Sequence, residues 1–142
     1  MLLYGICVNE ITNIKTEGLK SLLKIVDVYD TCMDDCRNED GSVDDDEILG
    51  WVDNYEENGG YGLGALLYAA IEKSENCDIS VDIPSDGLTY LGLQIDLPWK
   101  YKDSTRNMTE EEYNAILAKY VNMVTDEEIA IRTWNITDDA DW

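Results

Sequence analysis

The chain has 142 residues, the size of one domain, and 44% of them are hydrophobic, as expected of a sequence that folds. Its 31 Asp and Glu stand against 10 Lys and Arg, a net charge of −21. A surface this negative repels nucleic acid and anionic membrane, so direct binding to either is excluded as a first reading, while basic proteins and cations are attracted.

The opening residues MLLYGICVNEI have no basic leader and soon meet Asn9 and Glu10, so no signal peptide is expected. No apolar run approaches the ~20 residues of a membrane helix. A cytoplasmic protein is the expectation. Residues 2–11 are apolar and rich in β-formers, and predict a buried first strand. From Glu17, Leu19, Leu22, Leu23, Val26 and Tyr29 recur at helical spacing with Lys20 and Lys24 between them, which predicts one amphipathic helix to about Asp34. Asn38 to Gly41 breaks it. A second helix starts near Asp44, with Ser42 or Asp44 as cap, carries Ile48, Leu49, Trp51 and Val52, and stops at Asn58-Gly59-Gly60. Residues 61–75, YGLGALLYAAIEKSE, form the most apolar helix candidate.

Two strands are predicted over 78–83 and 87–97, joined by the turn Pro84-Ser85-Asp86-Gly87. Thr109 and Glu112 have the spacing of a capping box that opens the last helix, and Met108 and Tyr113 that of its hydrophobic staple. Tyr113, Ile116, Leu117, Tyr120, Val121 and Val124 make its buried stripe. Residues 128–136 predict a final strand, and 138–142 a short acidic tail. The order is β-α-α-α-β-β-α-β, an α+β domain over 1–142 with a small, mostly antiparallel sheet and four helices.

Four cysteines, Cys7, Cys32, Cys36 and Cys77, accompany no histidine. Without a secretion signal they are expected as reduced thiols. Cys32 and Cys36 are four apart, but no zinc template fits the spacing, and the expected role is that of small buried hydrophobes. No cofactor is expected. Without histidine, a Gly-x-Ser-x-Gly elbow, a phosphate loop or a nucleophile with a visible base, neither is an enzyme.

The stretch CRNEDGSVDDDE, residues 36–47, sets six carboxylates around one glycine. With Gly41 as position 6 of a twelve-residue calcium loop, Asn38, Asp40, Ser42, Asp44 and Glu47 fall at positions 3, 5, 7, 9 and 12. Val43 falls at 8, where such loops are apolar. Locally this resembles the loop of EF-hand and dockerin proteins, over about 17 residues. Position 1, however, is Cys36, a soft thiol where a hard cation requires oxygen. Asp34 and Asp35 also stand where the entering helix normally presents apolar residues. A plain turn between two acidic helices is the simpler reading, and calcium is the one ion kept as an alternative.

Between Asp30 and Glu57 lie twelve carboxylates and one base, Arg37, a net −11. Solubility needs far less, since a small domain manages with a net charge of roughly 2–8 in magnitude. Halophilic adaptation would spread such charge more evenly. If the two helices flanking Gly41 turn their polar sides one way, Asp34, Asp35, Glu39, Asp40, Asp44, Asp45, Asp46, Glu47, Asp53, Glu56 and Glu57 form an anionic face. Duplex DNA carries one negative charge per ~1.7 Å of axis, and a rigid carboxylate ridge can occupy the Lys and Arg groove that binds it. Trp51, Tyr55, Tyr61 and Trp142 are the aromatics nearest this segment, although Trp51 also reads as core.

In size, charge and composition the chain resembles the small acidic anti-defence proteins of phages and mobile elements, the DNA-mimic anti-restriction and anti-CRISPR proteins. Residues 90–128, YLGLQIDLPWKYKDSTRNMTEEEYNAILAKYVNMVTDEE, also look like a segment of small proteins from such elements. That resemblance implies a non-enzymatic inhibitor whose partner is a basic nucleic-acid-binding protein, a Cas nuclease or a restriction enzyme, met in the bacterial cytoplasm. An acidic phage accessory protein is the further alternative.

Overall fold

The computed structural model describes residues 1–84, 87–96 and 98–136. Residues 85, 86 and 97, and the expected acidic tail with Trp142, lie outside the described residues. The first strand, β1 (Leu2–Cys7), runs between two partners. It pairs antiparallel with β5 (Tyr90–Gln94) through Tyr4↔Leu93 and Ile6↔Leu91, and with β6 (Arg132–Asn135) through Leu3↔Trp134 and Tyr4↔Thr133. β4 (Ser80–Asp82) adds to the far side of β5, completing a four-stranded antiparallel sheet of order β4-β5-β1-β6. The fold is α+β, as the sequence leads one to expect.

β1 and β5 approach unusually closely where Gly5 faces Gly92. A Cβ on Gly5 would lie 2.1 Å from the Leu91 carbonyl oxygen, so a side chain has no room there. One sheet face carries Ile6 and Leu91 into the main core. The helices on that side are α1 (Thr16–Ile25), α4 (Gly62–Ser74) and α6 (Glu110–Val124). α4 is the central helix, with Ala65, Leu66, Leu67, Tyr68, Ala70 and Ile71 buried. α1 crosses α6 at Gly18, where a Cβ would sit 1.6 Å from the Met123 carbonyl oxygen. Alanine is normally the better helix former by ~1 kcal/mol, but that preference is small against such an overlap. The other sheet face buries Leu3, Cys7, Tyr90 and Ile136 beneath Trp134, whose indole N–H donates to the Gly5 carbonyl (2.9 Å).

The capping box is present, with Thr109 Oγ1 accepting from the Glu112 amide (3.1 Å) and Glu112 Oε1 accepting from the Thr109 amide (3.2 Å). Tyr113 is buried and Met108 packs against the core beside it.

Three expectations need correction. The helix expected from Glu17 to Asp34 is two helices, α1 and α2 (Tyr29–Cys36), separated by Asp27 at φ +65°. The Val28 amide donates to the Leu23 carbonyl and the Asp27 amide to that of Lys24, which is a Schellman stop with aspartate where glycine is usual. Asn58-Gly59 does not end the next helix, α3 (Asp45–Asp53). It is instead the two-residue turn of a hairpin, β2 (Glu56–Glu57) with β3 (Gly60–Tyr61), with φ +52° and +80° at the turn. A short helix, α5 (Asp103–Arg106), is not among the expected elements, and with the division of the first helix the described residues hold six α-helices instead of four.

The predicted strands are also longer than those observed: β1 stops at Cys7, where Val8–Glu10 turn into a 3-10 helix, and β4, β5 and β6 are shorter too. The four cysteines are buried and form no disulfide among the described residues. No helix among the described residues is long and apolar enough to cross a membrane.

One carboxylate, Glu127, makes the most bonds between the segment after α6 and residues 12–13. Glu127 Oε1 accepts from the backbone amides of Thr12 (2.7 Å) and Asn13 (2.8 Å), and Oε2 from the Thr12 hydroxyl (2.7 Å). These donors hold its pKa at about 2, below the ordinary 4.5, the Asn13 amide contributing most. A depressed carboxylate pKa stabilises the fold fully above the ordinary value and is lost as pH falls towards the folded one. Urea unfolding between pH 5 and about 2 should therefore show a shallower loss of stability in Glu127→Gln than in the parent. Equal slopes would refute the clamp.

Candidate functional site

The acidic segment folds as two short helices and a connecting loop, 37–44, followed by β2. Cys32 and Cys36 on α2, and Ile48 and Val52 on α3, are each four residues apart, so each pair lies on one helix side. All four are buried in the core with the leucines of α1 and α4. That seam leaves the remaining positions to solvent. Asp34, Asp35, Glu39, Asp40, Asp44, Asp45, Asp46, Glu47, Asp53, Glu56 and Glu57 are all exposed, and so is Asp30.

Little compensates them. Of the six ion pairs among the described residues, one lies wholly in this segment, Arg37 to Asp34 at 3.0 Å. The other five join Lys15 to Asp126, Lys20 to Glu17, Lys73 to Asp27, Arg106 to Asp103 and Lys119 to Glu75. More than half of the chain's ten bases are thus engaged by carboxylates, nearly all of them elsewhere.

Neighbouring carboxylates of α2 have different surroundings. Asp30 and Asp34 border a shallow groove that also holds Lys20 of α1 and Arg37, so these two are partly neutralised. Asp35 Oδ2 instead accepts from the Trp51 indole N–H (2.8 Å). The Trp51 ring packs 5.9 Å from that of Tyr55 at 30°, and the Tyr55 hydroxyl donates to Glu57 (3.1 Å). Burial, then the nearby Glu57 charge, pushes the Tyr55 pKa up to about 12, so the phenol stays a donor at neutral pH.

Asp35, Trp51, Tyr55 and Glu57 therefore form one continuous track across α2, α3 and β2. Sequence reasoning named these residues without joining them. Asp35 and Trp51 are sixteen apart and meet only because both helices pack on the same seam. Trp51 and Tyr55 are half-buried, while Tyr61 is 53% exposed.

In the loop, Gly41 takes φ +89°, a conformation that favours glycine. Asp40 Oδ1 accepts from the Ser42 amide (2.9 Å) and hydroxyl (2.6 Å), which lowers the Asp40 pKa. Asn38 Nδ2 donates to Ser42 Oγ (3.1 Å) and Asp44 Oδ2 (3.3 Å). Asn38, Asp40, Ser42 and Asp44 are thus brought together. Asp44 stands at the N-cap position of α3, but its side chain makes no capping bond to the helix.

Cys36, at the first ligand position, is buried, and its thiol donates to the Glu47 carbonyl (3.3 Å). Burial raises its pKa and pushes that of Cys32 up to about 12, so both remain thiols at neutral pH. Among the described residues no group of three or more His, Cys, Asp or Glu side chains is placed to hold a metal ion.

Comparison with family models, curated proteins and solved structures returns no match for this chain.

Proposed function

We propose that the protein is a non-enzymatic inhibitor that takes the place of nucleic acid in the basic groove of a bacterial defence nuclease, a Cas effector or a restriction enzyme, in the host cytoplasm. One observation carries the reading. Twelve exposed carboxylates stand on a helix–loop–helix and the β2 strand that follows it, anchored from beneath by a buried seam, with one ion pair among them. An anchored unit loses little conformational freedom on binding, so charge attraction is not spent on ordering a tail. The carboxylates steer a cationic cleft towards the unit, with a rate that falls as salt screens them. The Trp51–Tyr55 pair supplies flat apolar area beside Asp35 and Glu57, the kind of aromatic anchor on which binding energy concentrates.

The test is capture of purified Cas and restriction nucleases on the immobilised protein at about 50 mM and about 0.5 M NaCl. Capture by a nuclease of this class is expected at low salt and should weaken at high salt. Asp45→Lys with Asp46→Lys should slow association at least ~10-fold while leaving the circular dichroism spectrum unchanged. No capture at low salt, or capture indifferent to salt, would overturn the electrostatic mechanism.

A second reading, a calcium-responsive interaction module, is favoured by the convergence of Asn38, Asp40, Ser42 and Asp44. Against it stands the buried thiol at the first ligand position. Calorimetric titration with calcium decides: binding heat that vanishes in Glu47→Gln would support the module, and a silent titration would end it.

A further inference from the structure

The first turn of α6 stands over the helix-facing side of the sheet where β1 begins and β5 ends, and the two do not close on each other. Between them lies a cavity of about 350 Å³. Its floor is the cross-strand row Leu93, Tyr4 and Thr133, extended by Ile95, and Met108 and Tyr113 wall its upper side. The apolar floor continues outwards, since Ile95 is 39% exposed and its amide bonds the carbonyl of Leu2, itself 38% exposed.

Among the described residues, one charged group, Glu110, lines this apolar space. Glu110 Oε1 is 3.0 Å from the Tyr4 hydroxyl, which also lies 2.6 Å from Asn114 Oδ1. A phenol has a single hydrogen to give, whereas a carboxylate can accept several bonds, so Glu110 keeps accepting capacity towards the mouth. An anion is disfavoured here. The positive end of α6 is already met by the capping box and by Glu110, Glu111 and Glu112 in its first turn.

We propose that this cavity binds a small organic cation, an ammonium group on an aromatic or branched apolar body. The body packs against Leu93, Ile95 and Met108, and the ammonium meets Glu110 across the faces of Tyr4 and Tyr113, whose ring centroids are 6.4 Å apart. The volume is at the lower end for small-ligand cavities, and the lining is far smaller than a protein interface requires, which favours a small molecule over a docked chain. None of the carboxylates of the 30–57 segment takes part, so the site goes beyond the proposed inhibitor function.

The probe is 2-phenylethylammonium, with phenylacetate as the same ring bearing the opposite charge, titrated into ¹⁵N-labelled protein at constant ionic strength. The ammonium should shift the amides of Leu93, Ile95 and 108–113 saturably, and phenylacetate should not. Glu110→Gln should weaken binding at least ~10-fold. Thr133→Trp, at an exposed floor position, should fill the space and block it with the spectrum otherwise native. Shifts confined to the 30–57 carboxylates, equal binding of phenylacetate, or affinity unchanged in both variants would overturn the site.

Discussion

The twelve carboxylates between Asp30 and Glu57 repel one another, and the apolar seam beneath α2 and α3 holds them in place. An exposed pair ~8 Å apart repels by about 0.5 kcal/mol before salt screens it. Burying a side chain such as Met33, Ile48 or Val52 stabilises by ~1.5–3 kcal/mol. A few buried residues thus outweigh many weak repulsions, and the unit keeps its shape without neutralising its surface. Without that seam, the charge would sit on an extended segment with no defined form to present.

Carboxylates elsewhere in the chain work differently. Glu127 gathers two backbone amides and a hydroxyl, and Glu75 accepts from Tyr120 (2.5 Å) and Lys119 (3.2 Å), which lowers its pKa. Asp27 holds a left-handed backbone position and meets Lys73 (2.9 Å). These acids join distant segments. Those of the 30–57 unit bond mainly within it, to Trp51, Tyr55, Asn38 and Ser42. The fold therefore spends its partners on structural acids and leaves the central ones to solvent, an asymmetry that composition alone cannot reveal.

Much of the fold was legible in the sequence where a local rule had a clear signal. The apolar residues of β1, the stripe of α6 and the Thr109–Glu112 box each state their structure within a few residues. The failures were of two kinds. Asp27 ends α1 in a conformation usually given to glycine, so the periodicity from Leu19 to Tyr29 looked uninterrupted. Asn58-Gly59 is a strong hairpin signal, yet directly after an amphipathic stretch it also fits a helix stop, and the two-residue strands are too short to show alternation. For the candidate site, exposure followed from polarity at each position. The Asp35–Trp51–Tyr55–Glu57 track, the different surroundings of Asp34 and Asp35 and the cavity under α6 depend on how helices meet across the core, and no local pattern encodes that.

If the central carboxylates are an uncompensated charge held against its own repulsion, screening them must stabilise the protein. The direct measurement is the urea midpoint of the parent and of Asp45→Asn with Asp46→Asn, each from about 20 mM to about 0.5 M NaCl. The account predicts a midpoint that rises with salt in the parent, and a higher midpoint with a smaller salt response in the variant. A midpoint that is flat or falls with salt, or a variant less stable than the parent at low salt, would contradict it.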